Sequence, residues 1–376
     1  MTETTPKRVL IFEPNAYHYE IIPGFAYYFL LLGYQVDCLL HQNYERLGDV
    51  FCRCPELRER IQIYTFDGEH AADRIAELKG ENGYTLLFFS TIEMKNKVCR
   101  EAVERAKPLF ENEQGMIGCS HKLHLPKQKY RERLRYFNNR MLTLSSTKTP
   151  DGEIVEVNPN FFCAATPERR LHDQVSVISV GVSQNRNELL RAADQLYKKT
   201  GETPGIVFIR KQENLLDELI HLAKFAVIKL FPLPMLDSSL HRPLGRIDQN
   251  VKNKTEITGR VSFADMFARI EAADFIVLNF YQGVKKSFTT CQTSGSKQLS
   301  LGFLIPCIIE KKAAEYYGFS EKNAVIYEDG QLAQALERAS SMSREQYAGM
   351  VRELEKLQRE IRERSVQNLS KLLENT

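Results

Sequence analysis

The chain has 376 residues, 43% of them apolar and 26% charged, with a formal net charge of +3. This is the composition of a globular protein with a sizeable core, and it excludes a disordered chain and a disulfide-stapled miniprotein. So small a net charge makes no case for a nucleic-acid binder unless basic residues cluster locally.

From the amino terminus, residues 8–12 form a short apolar, β-rich run. A loop carrying Pro14, Pro23 and Gly24 follows, then a helical pattern over 25–32 that ends at Gly33. Strand patterns at 35–40, 61–66, 84–89, 116–119 and 142–145 enclose helical patterns at 71–78 and 95–106. Alternation of this kind implies right-handed βαβ units and a parallel sheet covered on both faces. Residues 147–173, with Pro150, Gly152, Pro159 and Pro167, lose the periodicity and read as a linker. A second alternating series then has strands at 175–180, 205–209, 256–258, 275–278, 306–309 and 324–327. Its helices fall at 187–199, 215–225, 263–272 and 295–301.

The tail from 344 to 373 places Met350, Val351, Leu354, Leu357, Ile361, Leu369, Leu372 and Leu373 on one stripe of a charged helix. With fewer than three clean heptads, a helix packed across the body is expected in preference to a coiled-coil dimer. The chain thus divides into lobes at 1–165 and 166–345 and a terminal helix at 346–376. The expected class is α/β, two Rossmann-like doubly wound lobes with a cleft between them.

The eight cysteines include no pair with the two-residue gap of a zinc knuckle or a thioredoxin-like site, so they read as thiols of a reducing compartment. No apolar stretch approaches the ~18 residues of a membrane span, and residues 1–7 are polar and unlike a signal peptide. A cytoplasmic protein is expected.

Doubly wound lobes bind ligands where strand-to-helix loops converge, at the carboxyl ends of the strands. In the second lobe the loop after the first strand contains Gly181, Ser183, Asn185 and Arg186, and Arg210 and Lys211 follow the second strand. Gly259 breaks the next strand ahead of Arg260 and Val261, where bare backbone suits a flat base, and Ser262 caps the following helix. Ser294, Gly295 and Ser296 open a short helix with Lys297 in its first turn, a position that favours an anion.

The glycine-ended first strand, the Gly259 turn with its helix ending in Ala272-Ala273-Asp274, and the small-residue helix leading through Gly302 and Pro306 together resemble the carboxyl-terminal lobe of GT-B fold glycosyltransferases. The resemblance implies that this lobe binds a nucleotide-sugar such as a UDP- or GDP-sugar, as co-substrate and with no resident cofactor. By position, Gly181, Ser183 and Arg186 would contact the diphosphate or sugar, Gly259, Arg260 and Val261 the base, and Ser294, Gly295, Ser296 and Lys297 the phosphates, with Arg210 a further donor-binding candidate. One departure matters: the paired glutamates of the large retaining families fall here on Thr289 and Lys297. The stretch from Ser296 to Gly302 is similar to a subgroup of bacterial glucosyltransferase-like enzymes with a lysine at this place, and such a cation would offset leaving-group charge. No Asp-x-Asp motif occurs, which points to metal-independent transfer.

The first lobe would then receive the acceptor. Its first loop holds Glu13, Tyr17, His18 and Glu20 at the expected cleft: Glu13, His18 and Glu20 as a base or sugar-binding group, Tyr17 as an acceptor contact. His121 and His124 follow a strand and are further acceptor-side candidates. The segment 122–140 carries seven cations against Glu132, with Leu125, Tyr130, Leu134, Tyr136 and Phe137 interleaved. Contact with a lipid surface and a plain solvated face compete for it, ahead of RNA, because no base-stacking module accompanies it.

The leading expectation is a hexosyltransferase moving sugar to a glycan or lipid-linked acceptor in bacterial surface-polysaccharide assembly, without nucleic acid. A catalytically degenerate subunit that stabilises a partner, and a nucleotide-sugar epimerase, are the alternatives. A dinucleotide-dependent enzyme is disfavoured because the loop after Phe12 has no Gly-x-Gly-x-x-Gly series.

Overall fold

The structure, a computed structural model, describes residues 7–16, 18–111, 115–121, 135–138, 140–144, 154–160, 169–181, 184–209, 247–259 and 261–374. Short runs of Val, Ile, Leu and Phe form its strands, and the side chains are buried on both faces, as parallel strands under helices require. Val9, Leu10, Ile11 and Phe12 are all fully buried.

The first sheet contains β1 (Arg8–Glu13), β2 (Gln35–His41), β3 (Ile61–Phe66), β4 (Leu86–Phe89), β5 (Gly115–Ser120), β6 (Met141–Thr143) and β7 (Ile154–Glu156). Their order is β3-β2-β1-β4-β5-β6-β7, with every neighbouring pair parallel. The second contains β8 (Ser176–Val180), β9 (Gly205–Ile209), β10 (Thr255–Thr258), β11 (Phe275–Leu278), β12 (Cys307–Glu310) and β13 (Ala324–Tyr327), in the order β10-β9-β8-β11-β12-β13 and again parallel. Each order reverses beside its first strand, at β1/β4 and at β8/β11. Such reversals open a crevice at the carboxyl ends of the strands.

The first sheet is accompanied by α1 (Ile22–Leu31), α2 (Asn43–Leu47), α3 (Pro55–Arg58), α4 (Ala71–Asn82) and α5 (Lys97–Phe110). With the second go α6 (Arg186–Thr200), α7 (Gln249–Asn253), α8 (Phe263–Ala272), α9 (Gln282–Phe288), α10 (Gly295–Phe303), α11 (Lys311–Tyr317) and α12 (Leu332–Ser340). The last helix, α13 (Arg344–Glu374), has 31 residues.

Helix α1 starts three residues before the predicted 25–32. Pro23 sits in its first turn, where the missing N–H would have had no partner anyway, so the proline opens the helix instead of preceding it. A larger correction concerns residues 147–173. They are not only a linker, because β7 adds a seventh strand to the first sheet by pairing with β6. Three residues are too few to show periodicity, and it is pairing that makes them a strand. The predicted helix at 215–225 lies outside the described residues.

Helix α13 crosses the body as a single helix. Tyr347 donates to the Asp274 carbonyl of the second lobe at 2.9 Å and Gln358 to Leu301 of α10 at 2.8 Å. Farther along, Asn368 donates to the Glu156 carbonyl of β7 at 2.9 Å. Its buried stripe includes Leu354, Ile361 and Leu369, and one continuous apolar cluster joins these residues to α1 and α8.

The chain passes between the sheets at residues 157–160, directly against α1. A methyl group at Gly24 would stand 2.5 Å from the Pro159 carbonyl carbon and oxygen, backbone atoms that cannot rotate away. At Gly118 the obstruction is made by side chains alone, Ile92 and the edge of the Phe137 ring at 2.9 Å, which can shift. Gly24→Ala is therefore expected to destabilise the protein by about 2–3 kcal/mol, the cost of overpacking against a fixed wall, and Gly118→Ala by clearly less. Urea unfolding of both variants checks this, and equal midpoints would contradict it.

Candidate functional site

The strand ends of the two sheets face each other. Glu13 ends β1, Ser90 and Thr91 follow β4, and His121 follows β5; opposite them, Gly181 follows β8, Gly259 follows β10 and Asn279 follows β11. Contacts across the gap show how near the lobes come. A methyl on Gly48 would lie 4.0 Å from the Ser262 side chain, the Tyr19 and Phe263 rings stand 6.1 Å apart, and Thr293 donates to the Leu144 carbonyl. Arg53 pairs with Glu271 on one flank.

On the first lobe, Glu13 is fully buried with both oxygens engaged. Asn15 donates its backbone N–H and side-chain amide to Oε1 at 2.9 and 3.0 Å, and the Ser90 and Thr91 hydroxyls donate to Oε2 at 2.7 Å each. Burial outweighs these donors and the His18 charge, and pushes the carboxyl up to about 7. This corrects the expectation that Glu13 meets substrate. Closed off from the cleft, it instead ties the β1 and β4 loops together.

His121 Nε2 lies 3.2 Å from the Ser90 carbonyl and 3.1 Å from the Thr91 hydroxyl. A carbonyl only accepts, so Nε2 carries the hydrogen and Thr91 passes its own to Glu13. Burial, aided by the His18 charge, lowers His121 to about 3, and it stays neutral. Its ring packs edge-on to His18, with centroids 4.8 Å apart.

His18, like His121, is half-buried. It takes a left-handed conformation, φ 70°, unusual for a non-glycine residue and typical of constrained loops at sites. Its Nδ1 stands 3.7 Å from Glu20 Oε1. Burial alone would lower the imidazole, but Glu20 and then Glu13 more than reverse that and hold it above its ordinary value. Burial likewise raises Glu20, and His18 overcomes it to leave that carboxyl low.

On the second lobe, Asn185 caps α6 by accepting from Glu188 N at 3.2 Å. Gly181 takes φ 94°, a conformation that favours glycine. Arg186 is the first residue of α6, its Nε 3.5 Å from Asn187 Oδ1. Gly259 and Val261 are half-buried ahead of α8. Ser294 caps α10 by accepting from Ser296 N at 3.2 Å, and the Ser296 hydroxyl donates to Val180 O at 3.1 Å, which brings the α10 start against the end of β8.

Lys297 departs from expectation. Its side chain is 1% exposed, and its amine donates to Asn158 Oδ1 at 3.1 Å and lies 5.4 Å from the centre of the Tyr317 ring. Engaged at the lobe junction, it does not stand at the cap of its helix as a catalytic or phosphate-binding cation. Burial lowers it to about 8. Tyr17, His124, Ser183, Arg210 and Arg260 lie outside the described residues. So does most of the basic segment 122–140, but its Phe137 is core, packed at 5.4 Å against Phe89, and does not face a surface.

Sequence reasoning missed Ser90, Thr91, Asn158, Gln184 and Asn279. Ser90 and Thr91 directly follow a buried apolar strand, so the strand-end rule applied to the second lobe would have found them. Asn279, directly after the buried strand β11, carries the same signal, and Gln184 does not. Asn279 N donates to Gln184 Oε1 at 2.9 Å and Asn185 N to Asn279 O at 2.7 Å, folding the loop over the β8/β11 reversal.

No protein-family model matches the chain, and no curated protein is detectably similar to it in sequence. Among solved structures it is similar to Anabaena Alr3699/HepE in complex with UDP and glucose, at 10% identity and TM-score 0.58, over 98% of this chain and 100% of that one. An alpha-glucosyltransferase in complex with UDP and a 13-mer DNA is similar at 10% identity and TM-score 0.53, over 96% and 94%. Arabidopsis thaliana UGT89C1 complexed with UDP is similar at 11% identity and TM-score 0.50, over 99% of each. The chain has the GT-B glycosyltransferase fold.

The buried Glu13 makes a test. Its folded pKa of about 7 exceeds the ordinary 4.5, so the stability it contributes is full below 4.5 and is lost as pH rises through 7. The loss amounts to roughly 3 kcal/mol. Glu13→Gln keeps the shape and does not titrate. Urea unfolding at pH 5 and pH 8 is expected to show the variant gaining on the wild type at the higher pH, and a gap independent of pH would contradict the assignment.

Proposed function

We propose that the protein transfers a sugar from a nucleoside diphosphate donor to a hydroxyl acceptor. The observation that carries this is the placement of the His18–Glu20 pair directly across the cleft from the start of α10. The dipole of that helix end favours an anion, and the neighbouring loops from Gly181 to Arg186 and from Gly259 to Val261 are proposed to receive the rest of the donor. UDP in the similar solved structures supports a nucleotide-sugar in this one.

In the proposed step His18 takes the proton of the acceptor hydroxyl as that oxygen forms its bond to the anomeric carbon. The bond from that carbon to the diphosphate breaks, and the electron pair leaves with the nucleoside diphosphate at the α10 end. Glu20 balances the imidazolium, and Glu13 holds the loop through Asn15, Ser90 and Thr91. On this reading residues 1–165 form the acceptor lobe and 166–345 the donor lobe, with 346–376 strapped over both. The proposed acceptor is a glycan or a lipid-linked acceptor, as the sequence resemblance implies. Because one similar structure contains DNA, an oligonucleotide belongs in the acceptor screen.

Thermal unfolding in the presence of UDP, GDP, CMP, ADP and NAD tests the donor, since a ligand bound only by the folded state raises the melting temperature. UDP or GDP is expected to do so, and the absence of a shift with every nucleoside diphosphate would sink the reading. Binding without turnover would turn it towards a degenerate subunit, and conversion of a nucleotide-sugar without acceptor towards an epimerase.

His18 must be neutral to act as base, and its proton affinity is raised. The rate with acceptor is therefore expected to climb as pH rises past that raised value. His18→Ala should lower it by about 10²–10⁴-fold and remove that limb. A pH–rate profile of both proteins decides, and an unchanged profile in the variant would exclude His18 as the base.

A further inference from the structure

At the β8/β11 reversal the packing seals two amide side chains and leaves one atom of each unpaired. Gln184 and Asn279 are each 1% exposed, yet Gln184 Nε2 and Asn279 Oδ1 find no hydrogen-bond partner among the described residues. The atoms beside them fix which atom is which. The Asn279 backbone N–H only donates, so the Gln184 atom 2.9 Å from it is the amide oxygen; the Asn185 carbonyl only accepts, so the Asn279 atom 2.8 Å from it is the amide nitrogen. Neither amide can flip without losing that bond. One donor and one acceptor are therefore left over within a single hydrogen-bonded pair of residues. Glu188, half-buried in the first turn of α6, adjoins them with Oε2 3.4 Å from Asn279 Nδ2, while Lys285 is engaged by Glu310 at 2.6 Å and Asp329 at 3.2 Å.

We propose that Gln184 and Asn279, flanked by Glu188, form the subsite that reads a hydroxyl group of the transferred sugar. This rests on the donor reading above and names the part of the donor that the β8/β11 crevice takes. A hydroxyl both donates and accepts, which matches a free amide N–H beside a free amide oxygen. A phosphate only accepts, and here it would meet Asn279 Oδ1 and the Glu188 carboxylate. The location suits the sugar as well. The Ser296 bond to Val180 sets the α10 start against the end of β8, and a methyl on Gly295 would stand 3.3 Å from Glu20 Oε1, so the crevice adjoins the point where the His18–Glu20 pair faces α10. Both atoms are shielded from water and costly to leave unpaired, so a donor that supplies the hydroxyl is favoured over one that lacks it. Gln184 and Asn279 are on this account specificity-determining residues.

The test is calorimetric titration of UDP, UDP-glucose, GDP and GDP-mannose into wild type, Gln184→Glu and Gln184→Met, with melting temperatures recorded for all three. Gln184→Glu keeps the oxygen that receives the Asn279 N–H and replaces the free donor by an acceptor, so it decides should Gln184→Met unfold. Gln184→Met has the same length and no charge, which separates loss of the donor from an added negative charge. Wild type is expected to bind a nucleotide-sugar more tightly than its nucleotide. Both variants should lose about tenfold in affinity for that nucleotide-sugar, the size of one hydrogen bond to a buried group, while Gln184→Met binds the bare nucleotide as wild type does. An undiminished preference for the nucleotide-sugar in both variants would mean that the pair holds a water only, and would overturn the subsite while leaving the donor reading standing. So would an equal loss for nucleotide and nucleotide-sugar in both variants, or the absence of any preference in wild type. Failure of wild type to bind any of the four would overturn both readings.

Discussion

The arrangement of the lobes depends on how one buried asparagine is satisfied. Asn158 lies where the chain crosses between the sheets, 1% exposed, and each of its polar groups is bound. Its side-chain oxygen accepts from Lys297 and Gln298 of α10 at 3.1 Å each, and its amide nitrogen donates to Glu156 at 2.7 Å. Its backbone N–H donates to Ser365 of α13 at 3.0 Å, and its carbonyl accepts from Tyr28 of α1 at 2.7 Å. Helices of both lobes and the terminal strap therefore meet on one residue. A buried polar group left unpaired costs about 1–3 kcal/mol, so these partners cannot separate without loss, and the strand ends are held facing each other.

That constraint explains why a lysine with a depressed pKa is tolerated in the second lobe. Lys297 is the counterpart of a carbonyl-type acceptor and an aromatic face, not of a carboxylate. Its position ties the first turn of α10 to the crossing segment. The orientation of the helix start, and with it the proposed donor seat, is thus set from beneath by the junction. Gly24 serves the same geometry, since it permits a close approach of the crossing segment to α1 that any side chain would obstruct.

The first lobe builds its half of the cleft differently. Three loops from β1, β4 and β5 are joined by hydroxyls and a neutral histidine around the buried Glu13 carboxylate, a network that is satisfied throughout and therefore rigid. His18 and Glu20 lie at its edge, one on strained backbone and the other extended towards the opposite lobe. Rigid support beneath and adjustable groups at the surface is an arrangement suited to a site that must first admit a donor and then act on an acceptor.

The fold class was legible because apolar runs at strand length, separated by helical periods, leave few alternatives to a doubly wound sheet. The same rule located Glu13, His18, Glu20, Gly181, Gly259 and Ser294 near the cleft, since strand ends are visible in a sequence. It could not assign their parts. Whether Glu13 faces solvent, or Lys297 an anion, depends on neighbours dozens to hundreds of residues away, and β7 is a strand only because β6 lies beside it. Local chemistry determined which segments become strands, helices and turns. Burial and long-range pairing, which exist only once the chain is packed, decided which polar groups are sealed in the interior and which meet across the cleft.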